Sequence, residues 1–367
     1  MTGTERIFGL DFLRAAAISL ILFSQCLWIL PQNNGIITQI TALFNCLGLE
    51  TFFVLSGFLL GQMLLPHYIR KDFGWETVLK FFKQRALRVL PVYWLILLMN
   101  IVIAVFIGNP IENSWKYFLL LQNLATPISS FFQESWGIPI IIFSALLLTI
   151  ILWALHRIMP MKNKSALFIN TTVLLILIAL LMKFIYYLNH PNLDIPQWDA
   201  SIKSVTIYRL DAVFIGVLFS WFRFAFYSAW VKYRFVFAML GFLGLGFIMI
   251  GVGYFQILIA YNPLFWIVFY LPITSLSIAL LLPLFSEWIF TVSFIKRPIT
   301  FISSISYSVY MVHFGVVYQL MIHYYPASSL TMQNLFWFVL FYVSMTIFLG
   351  AALYQFYERP LLKKGNS

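Results

Sequence analysis

Charge is what this chain has least of. Only 10% of its 367 residues are charged, and Asp and Glu together number 12. A soluble domain draws about a quarter of its residues from that set, so a water-exposed globular surface is excluded. Cysteine is nearly absent: Cys26 and Cys46 lie in separate apolar runs, which excludes a disulfide framework and reads as two small buried hydrophobes. The five histidines, at 67, 156, 190, 313 and 323, show no ligand spacing, so no metal site and no permanently bound cofactor is expected. There is no G-x-S-x-G elbow and no Walker loop, and the glycines that cluster in apolar runs follow no strand, which argues against a dinucleotide loop. No repeat, low-complexity tract or separate soluble stretch divides residues 1–367, which read as one domain. The first apolar run is too long for a signal peptide core and lacks an A-x-A site, so it is expected to be retained.

What is present is apolar. Hydrophobic residues make up 62% of the chain and aromatics 19%, with a mean hydropathy of +0.91. That composition predicts an all-α, polytopic membrane bundle. Ten spans are expected, at 9–30, 42–65, 89–108, 137–156, 166–187, 207–224, 234–254, 264–285, 303–323 and 333–356. Basic residues gather in alternate loops: Arg70, Lys71, Lys80, Lys83, Arg85 and Arg88, then Arg157, Lys162 and Lys164, then Arg223, Lys232 and Arg234, then Lys296 and Arg297, and finally Arg359, Lys363 and Lys364. The intervening loops hold little beyond Lys116 and Lys203. By the positive-inside rule both termini are cytoplasmic, and the net charge of +11 reports topology and membrane lipid, with no nucleic-acid partner. The outer segments 109–136 and 188–206 are long and rich in Asn, Pro and Trp, suited to capping a cavity or meeting a substrate outside.

Against this background the polar residues stand out. The first span, GLDFLRAAAISLILFSQCLWIL, carries Asp11 and Arg14 inside its apolar run, and a charge placed so is a functional candidate by default. Asp11 stands three residues before Arg14, where it can partly neutralise it. Eleven steps on, Gln25 returns to nearly the same helix face. The second span places Glu50 and Ser56 within the membrane; Lys83, Arg85 and Arg88 precede Pro91 at the third, a cluster suited to phosphate. Arg209 and Asp211 open the sixth span two residues apart, a spacing that cannot face itself, so each should seek a partner elsewhere. The ninth span holds a hydroxyl-rich run with Tyr307 and ends in His313, and Glu358 marks the last boundary.

The order of these motifs resembles the acyltransferase 3 family of ten-helix bacterial membrane acyltransferases. The match runs through GLDFLRA, GLETFFVLSGFLLG, the R-x-x-R-x-x-P-x-Y of Arg85 to Tyr93, the SW of Ser135 and Trp136, RLD at 209–211, ISYSVYMVH at 305–313 and FYERP at 356–360. The resemblance implies a protein of the inner membrane that takes an acyl group, acetyl by expectation, from cytoplasmic acyl-CoA to a hydroxyl of an envelope glycan or lipid-linked saccharide. On that analogy Arg14, Arg85 and Arg88 hold the CoA phosphates. Glu50, Ser56, Trp136, Arg209, Asp211, Tyr307 and Glu358 are candidates for substrate contact, and Asp11, Gln25 and His313 for the chemistry. Two departures stand out. The family has a histidine where this chain has Gln25, and often acidic residues shortly after the SW pair, where this chain has Ile141 and Ile142. An amide cannot serve as a general base, which leaves His313 as the intramembrane imidazole that could. A homologue that binds without transferring, and a carrier of lipid-linked sugar, are the alternatives; no inverted repeat supports the latter.

Overall fold

The computed structural model describes residues 6–29, 36–70, 73–111, 113–129, 131–158, 163–253, 259–290, 292–326 and 330–365. The long helices are α1 (Phe8–Ile29), α2 (Ile36–Ile69), α3 (Trp75–Ile107), α4 (Gly137–Ile158), α5 (Lys164–Asn189), α6 (Leu210–Ala225), α7 (Arg234–Gly253), α8 (Tyr270–Ala279), α9 (Ser293–Val312) and α10 (Met332–Leu353). Among the described residues nine helices are long and apolar enough to cross a bilayer. A tenth crossing results if Ile195–Lys203 and Thr206–Ala225, bent 86° apart, form one span. The chain is therefore a multi-pass membrane protein. Outward faces stay apolar, with Val105, Phe242, Phe247 and Phe348 all exposed, as a lipid-facing surface requires.

Two boundaries differ from expectation. The basic segment at 80–88 lies inside α3, which starts at Trp75 and carries Pro91 without ending. Its apolar positions Val78, Phe81, Phe82 and Val89 pack on the core, and that burial outweighs the single hydrogen bond that Pro91 removes. Likewise α9 begins at Ser293, ten residues before the apolar run. Lys71 and Lys162 of the basic loops lie outside the described residues.

The middle of the bundle is α2, packed on α1 and α6. At the α2–α6 crossing a Cβ added at Gly57 would stand 1.8 Å from the Val213 carbonyl oxygen, and one at Gly216 2.1 Å from that of Val54. Helices in lipid gain nothing from excluding water from one another, so close backbone approach over small residues supplies the contact.

Buried charges then fix the angles. Lys183 of α5 donates to Asp211 of α6 at 2.6 Å, with both side chains fully buried. Arg209 pairs with Glu50 of α2, and the same carboxylate accepts from the Ser275 hydroxyl of α8 at 2.5 Å. Arg209 and Asp211 thus reach different partners, and four helices meet around two ion pairs.

Gly57→Leu is expected to lower the thermal midpoint of the detergent-purified protein by overpacking worth about 1–3 kcal/mol. Asp211→Asn leaves an uncompensated buried ammonium and is expected to cost about 3–5 kcal/mol, whereas the double change Lys183→Met with Asp211→Leu recovers most of that loss. Equal midpoints for the single and double variants would show that the pair carries no such energy.

Candidate functional site

Arg14 is placed by its own helix. Asp11 is buried one turn earlier, where it approaches Arg14 Nη1 at 3.7 Å, accepts from Arg6 Nε at 3.1 Å and from the Ser303 hydroxyl of α9 at 2.7 Å. One carboxylate therefore ties α1 to α9 and orients the guanidinium, which has that long contact as its one ion pair among the described residues and lines a cavity. From α3, Arg85 and Arg88 enter the same cavity three residues apart on one helix face. The Arg85 Nε is buried and has no partner among the described residues.

The cavity measures about 210 Å³. Ser56 lines it from α2, Ser303, Ser304, Ser306, Tyr307 and Tyr310 from α9, and Glu358 from the wide π turn Tyr354–Glu358. Glu358 is buried and accepts from the Ser308 hydroxyl at 2.5 Å, while Tyr307 donates to the Val89 carbonyl at 2.8 Å and binds α9 to α3. Three guanidiniums against one carboxylate make an anion site, and hydroxyls supply neutral donors around it. Phe52, Phe53, Ile138 and Ile141 form the apolar remainder of the wall.

Tyr310 closes the far end. Its hydroxyl donates to the backbone carbonyl of Glu134 at 2.6 Å, and its own carbonyl accepts from His313 Nδ1 at 2.5 Å. A carbonyl only accepts, so the ring hydrogen of neutral His313 sits on Nδ1 and Nε2 carries the lone pair. His313 starts a π-helical turn, His313–Tyr318. Wide turns of this kind recur at functional sites because they free backbone groups. Here the Gly315 N–H donates to Glu134 Oε1 at 2.7 Å. A Cβ at Gly315 would meet Asn100 Oδ1 at 2.1 Å and Glu134 Oε1 at 2.3 Å, so any larger residue there displaces both side chains.

Register along α1 places Gln25 at the same depth. Asp11 meets Ser303, and seventeen residues further along α1 Trp28 meets Phe314 and Tyr318, eleven and fifteen residues beyond Ser303, with ring centroids 6.3 and 5.8 Å apart. The two helices therefore run in parallel, which brings Gln25 level with the His313 turn. Gln25 is buried, and its Nε2 has no partner among the described residues.

The expected site residues thus fall into two sets. Arg14, Arg85, Arg88, Ser56, Tyr307 and Glu358 line one cavity; Gln25, His313 and Asp11 do not line it, His313 adjoining it through Tyr310 and Asp11 standing behind Arg14. Glu50, Arg209 and Asp211 sit in the ion pairs between helices and do not line the cavity. Trp136 links the sets: its ring packs edge-on against Phe53 at 5.6 Å, with Lys203 over it at 5.9 Å. Sequence reasoning missed Glu134, Lys183 and Ser275, and gave no role to Tyr310, which stands in the hydroxyl-rich run of the ninth span. Of the missed three, Lys183 carried a signal, a single cation inside the apolar run LLMKFIYY. No group of three metal-ligating side chains occurs among the described residues.

The family model described as an acyltransferase domain matches residues 7–355. Two relatives, from Staphylococcus aureus strains COL and MSSA476, bear names that propose an O-acetyltransferase; each is 27% identical over 387 aligned positions, covering 97% of this chain and 57% of the relative. The chain thus spans less than three fifths of the length of these relatives. No solved structure matches. Because the family model covers nearly all of it, the chain belongs to the acyltransferase 3 family.

Proposed function

We propose that this protein is a membrane O-acyltransferase that moves an acyl group, acetyl by analogy with the names of its relatives, from acyl-CoA to a hydroxyl of an envelope glycan or lipid-linked saccharide. The observation that carries the reading is the convergence of Arg14, Arg85 and Arg88, from two helices, on one hydroxyl-lined cavity. Acyl-CoA is a polyanion with a neutral arm. Its phosphates are met by the guanidiniums, and the pantetheine arm runs past the serines toward Tyr310. The side that carries these arginines is the cytoplasmic face of the bacterial inner membrane, by the placement of basic loops.

At the closed end the acceptor hydroxyl attacks the thioester carbonyl. The C–O bond forms as the C–S bond breaks, and the CoA thiolate leaves. The hydroxyl proton goes to His313 Nε2, the nitrogen left free by the Nδ1 hydrogen bond. Gln25 orients the acceptor through its unpartnered amide. Trp136 and Lys203 present an aromatic face and a cation on the outer side, a combination that suits a sugar ring.

A binding-only homologue is the second reading. It is favoured by Ile141, which lines the cavity as an apolar wall.

Purified protein with radiolabelled acetyl-CoA separates the two. Arg85→Gln is expected to raise KM for acetyl-CoA about 10- to 100-fold through one lost charge-assisted contact. His313→Ala is expected to lower kcat by about 10²- to 10⁴-fold with KM little changed. Gln25→His is expected to change the rate by no more than a few-fold. A silent parent that gains strong activity on Gln25→His would establish the binding-only reading and remove His313 from the mechanism.

A further inference from the structure

On the side of α1 away from Arg14 lies a second cavity, of about 920 Å³. Its walls are apolar and come from four parts of the fold: Ala16, Ala17 and Leu20 of α1, Leu47 of α2, Leu245 of α7 and Leu281 just beyond α8. Polar groups gather at one end only, where Arg234 and Glu287 form the rim together with Trp288. That end is the one that also carries Arg6, at the start of α1, and Arg223, at the end of α6.

The two charges at the rim are not equivalent. Glu287 is engaged by Arg223, whose Nη2 donates at 2.9 Å, and by the Tyr227 hydroxyl at 3.2 Å. Arg234 has no ion-pair partner among the described residues and only the face of Phe235 at 5.0 Å. Lys232 stands two residues before it and is exposed. The uncompensated charge of the rim is therefore positive.

Length decides what fits. From Arg234 to Leu245 is eleven residues of α7, or about 16 Å at the helical rise. Half of a bilayer's hydrocarbon core is about 15 Å. The cavity thus runs from the membrane surface to its middle, one leaflet deep, with a cation at the surface end and nothing polar enough beyond Thr51 to hold a soluble ligand. Thr51 itself is spent on the Leu47 carbonyl at 2.7 Å.

We propose that this cavity is a binding site for one anionic diacyl phospholipid, with its phosphate on Arg234 and an acyl chain laid along the small-residue face of α1. The lipid fills the side of α1 opposite the arginine cavity, so the helix that orients Arg14 is braced from behind. The inference is independent of the transfer reaction, since it concerns lipid retention alone.

The test uses the full-length protein in neutral detergent. Native mass spectrometry and thermal midpoints are read after adding phosphatidylglycerol or phosphatidylcholine of the same chain length. One phosphatidylglycerol per chain is expected to persist and to raise the midpoint more than phosphatidylcholine does. Arg234→Gln is expected to weaken phosphatidylglycerol binding about five- to tenfold and leave phosphatidylcholine unchanged, as removal of one interfacial cation should. Arg234→Lys keeps most of the preference. Leu245→Trp, which fills the cavity from α7, is expected to lower retention of both lipids. Equal stabilisation by the two lipids in the parent would overturn the proposal. So would an unchanged preference in Arg234→Gln, or the recovery of an isoprenoid phosphate in place of a diacyl lipid.

Discussion

Asp11 is a buried carboxylate that accepts from Arg6 before α1 and from Ser303 of α9, with Arg14 of its own helix in a longer ion pair. In an apolar medium such a group is costly unless its charge is met and its lone pairs are filled. Meeting it draws Ser303 against α1, which sets the parallel register of α1 and α9. That register in turn brings Arg14 beside the hydroxyls of α9 and lifts Gln25 to the level of His313. The arginines of the cavity and the level of Gln25 are thus both placed by a single packing requirement, one turn from Arg14 and about four turns from Gln25.

The same principle sorts the remaining polar residues. Lys183 with Asp211, and Arg209 with Glu50 and Ser275, meet one another inside the bundle, and their work is to hold helices in place. Arg14 keeps one contact at 3.7 Å and Arg85 Nε has no partner among the described residues, and both line the same cavity. Arg209 Nε and Nη1 and Asp211 Oδ1 also lack partners among the described residues, so neither intramembrane charge nor an unmet hydrogen bond by itself separates structure from function. The cavity that Arg14 and Arg85 line, and that Arg209 and Asp211 do not, separates them.

That distinction explains what could be read from the chain beforehand. Helix class and the approximate spans follow from hydropathy, because twenty apolar residues leave a membrane chain little choice. The grouping of Arg14 with Arg85 and Arg88 was also legible, since all three stand near one membrane surface by charge placement. The partners of Arg209 and Asp211 were not, because they lie 159 and 28 residues away in sequence, and spacing says only that the two do not face each other. Glu134 was hidden for a different reason. Its significance depends on a π turn that frees the Gly315 N–H, and such a turn leaves no mark in the 3.6-residue period. The basic stretch at 80–88 was expected in a loop because charge marks loops; in α3 the helix simply continues below the membrane surface, with apolar positions on one side and cations on the other.

Gln25 bears on how the site divides its labour. An amide at the end of α1 hydrogen-bonds but moves no proton, whereas at the end of α9 the Tyr310 carbonyl fixes the His313 tautomer and leaves one ring nitrogen free. The π turn that follows places Gly315 against Glu134, and Tyr310 reaches the same residue through its hydroxyl. The segment before α4 is therefore locked to α9 at two points either side of the imidazole. That segment also carries Trp136, and Tyr310 lines the arginine cavity. One short stretch of backbone, Glu134 to Trp136, thus joins the wall of that cavity to the aromatic face of Trp136, with fewer intervening contacts than a chain of side chains across the bundle would need.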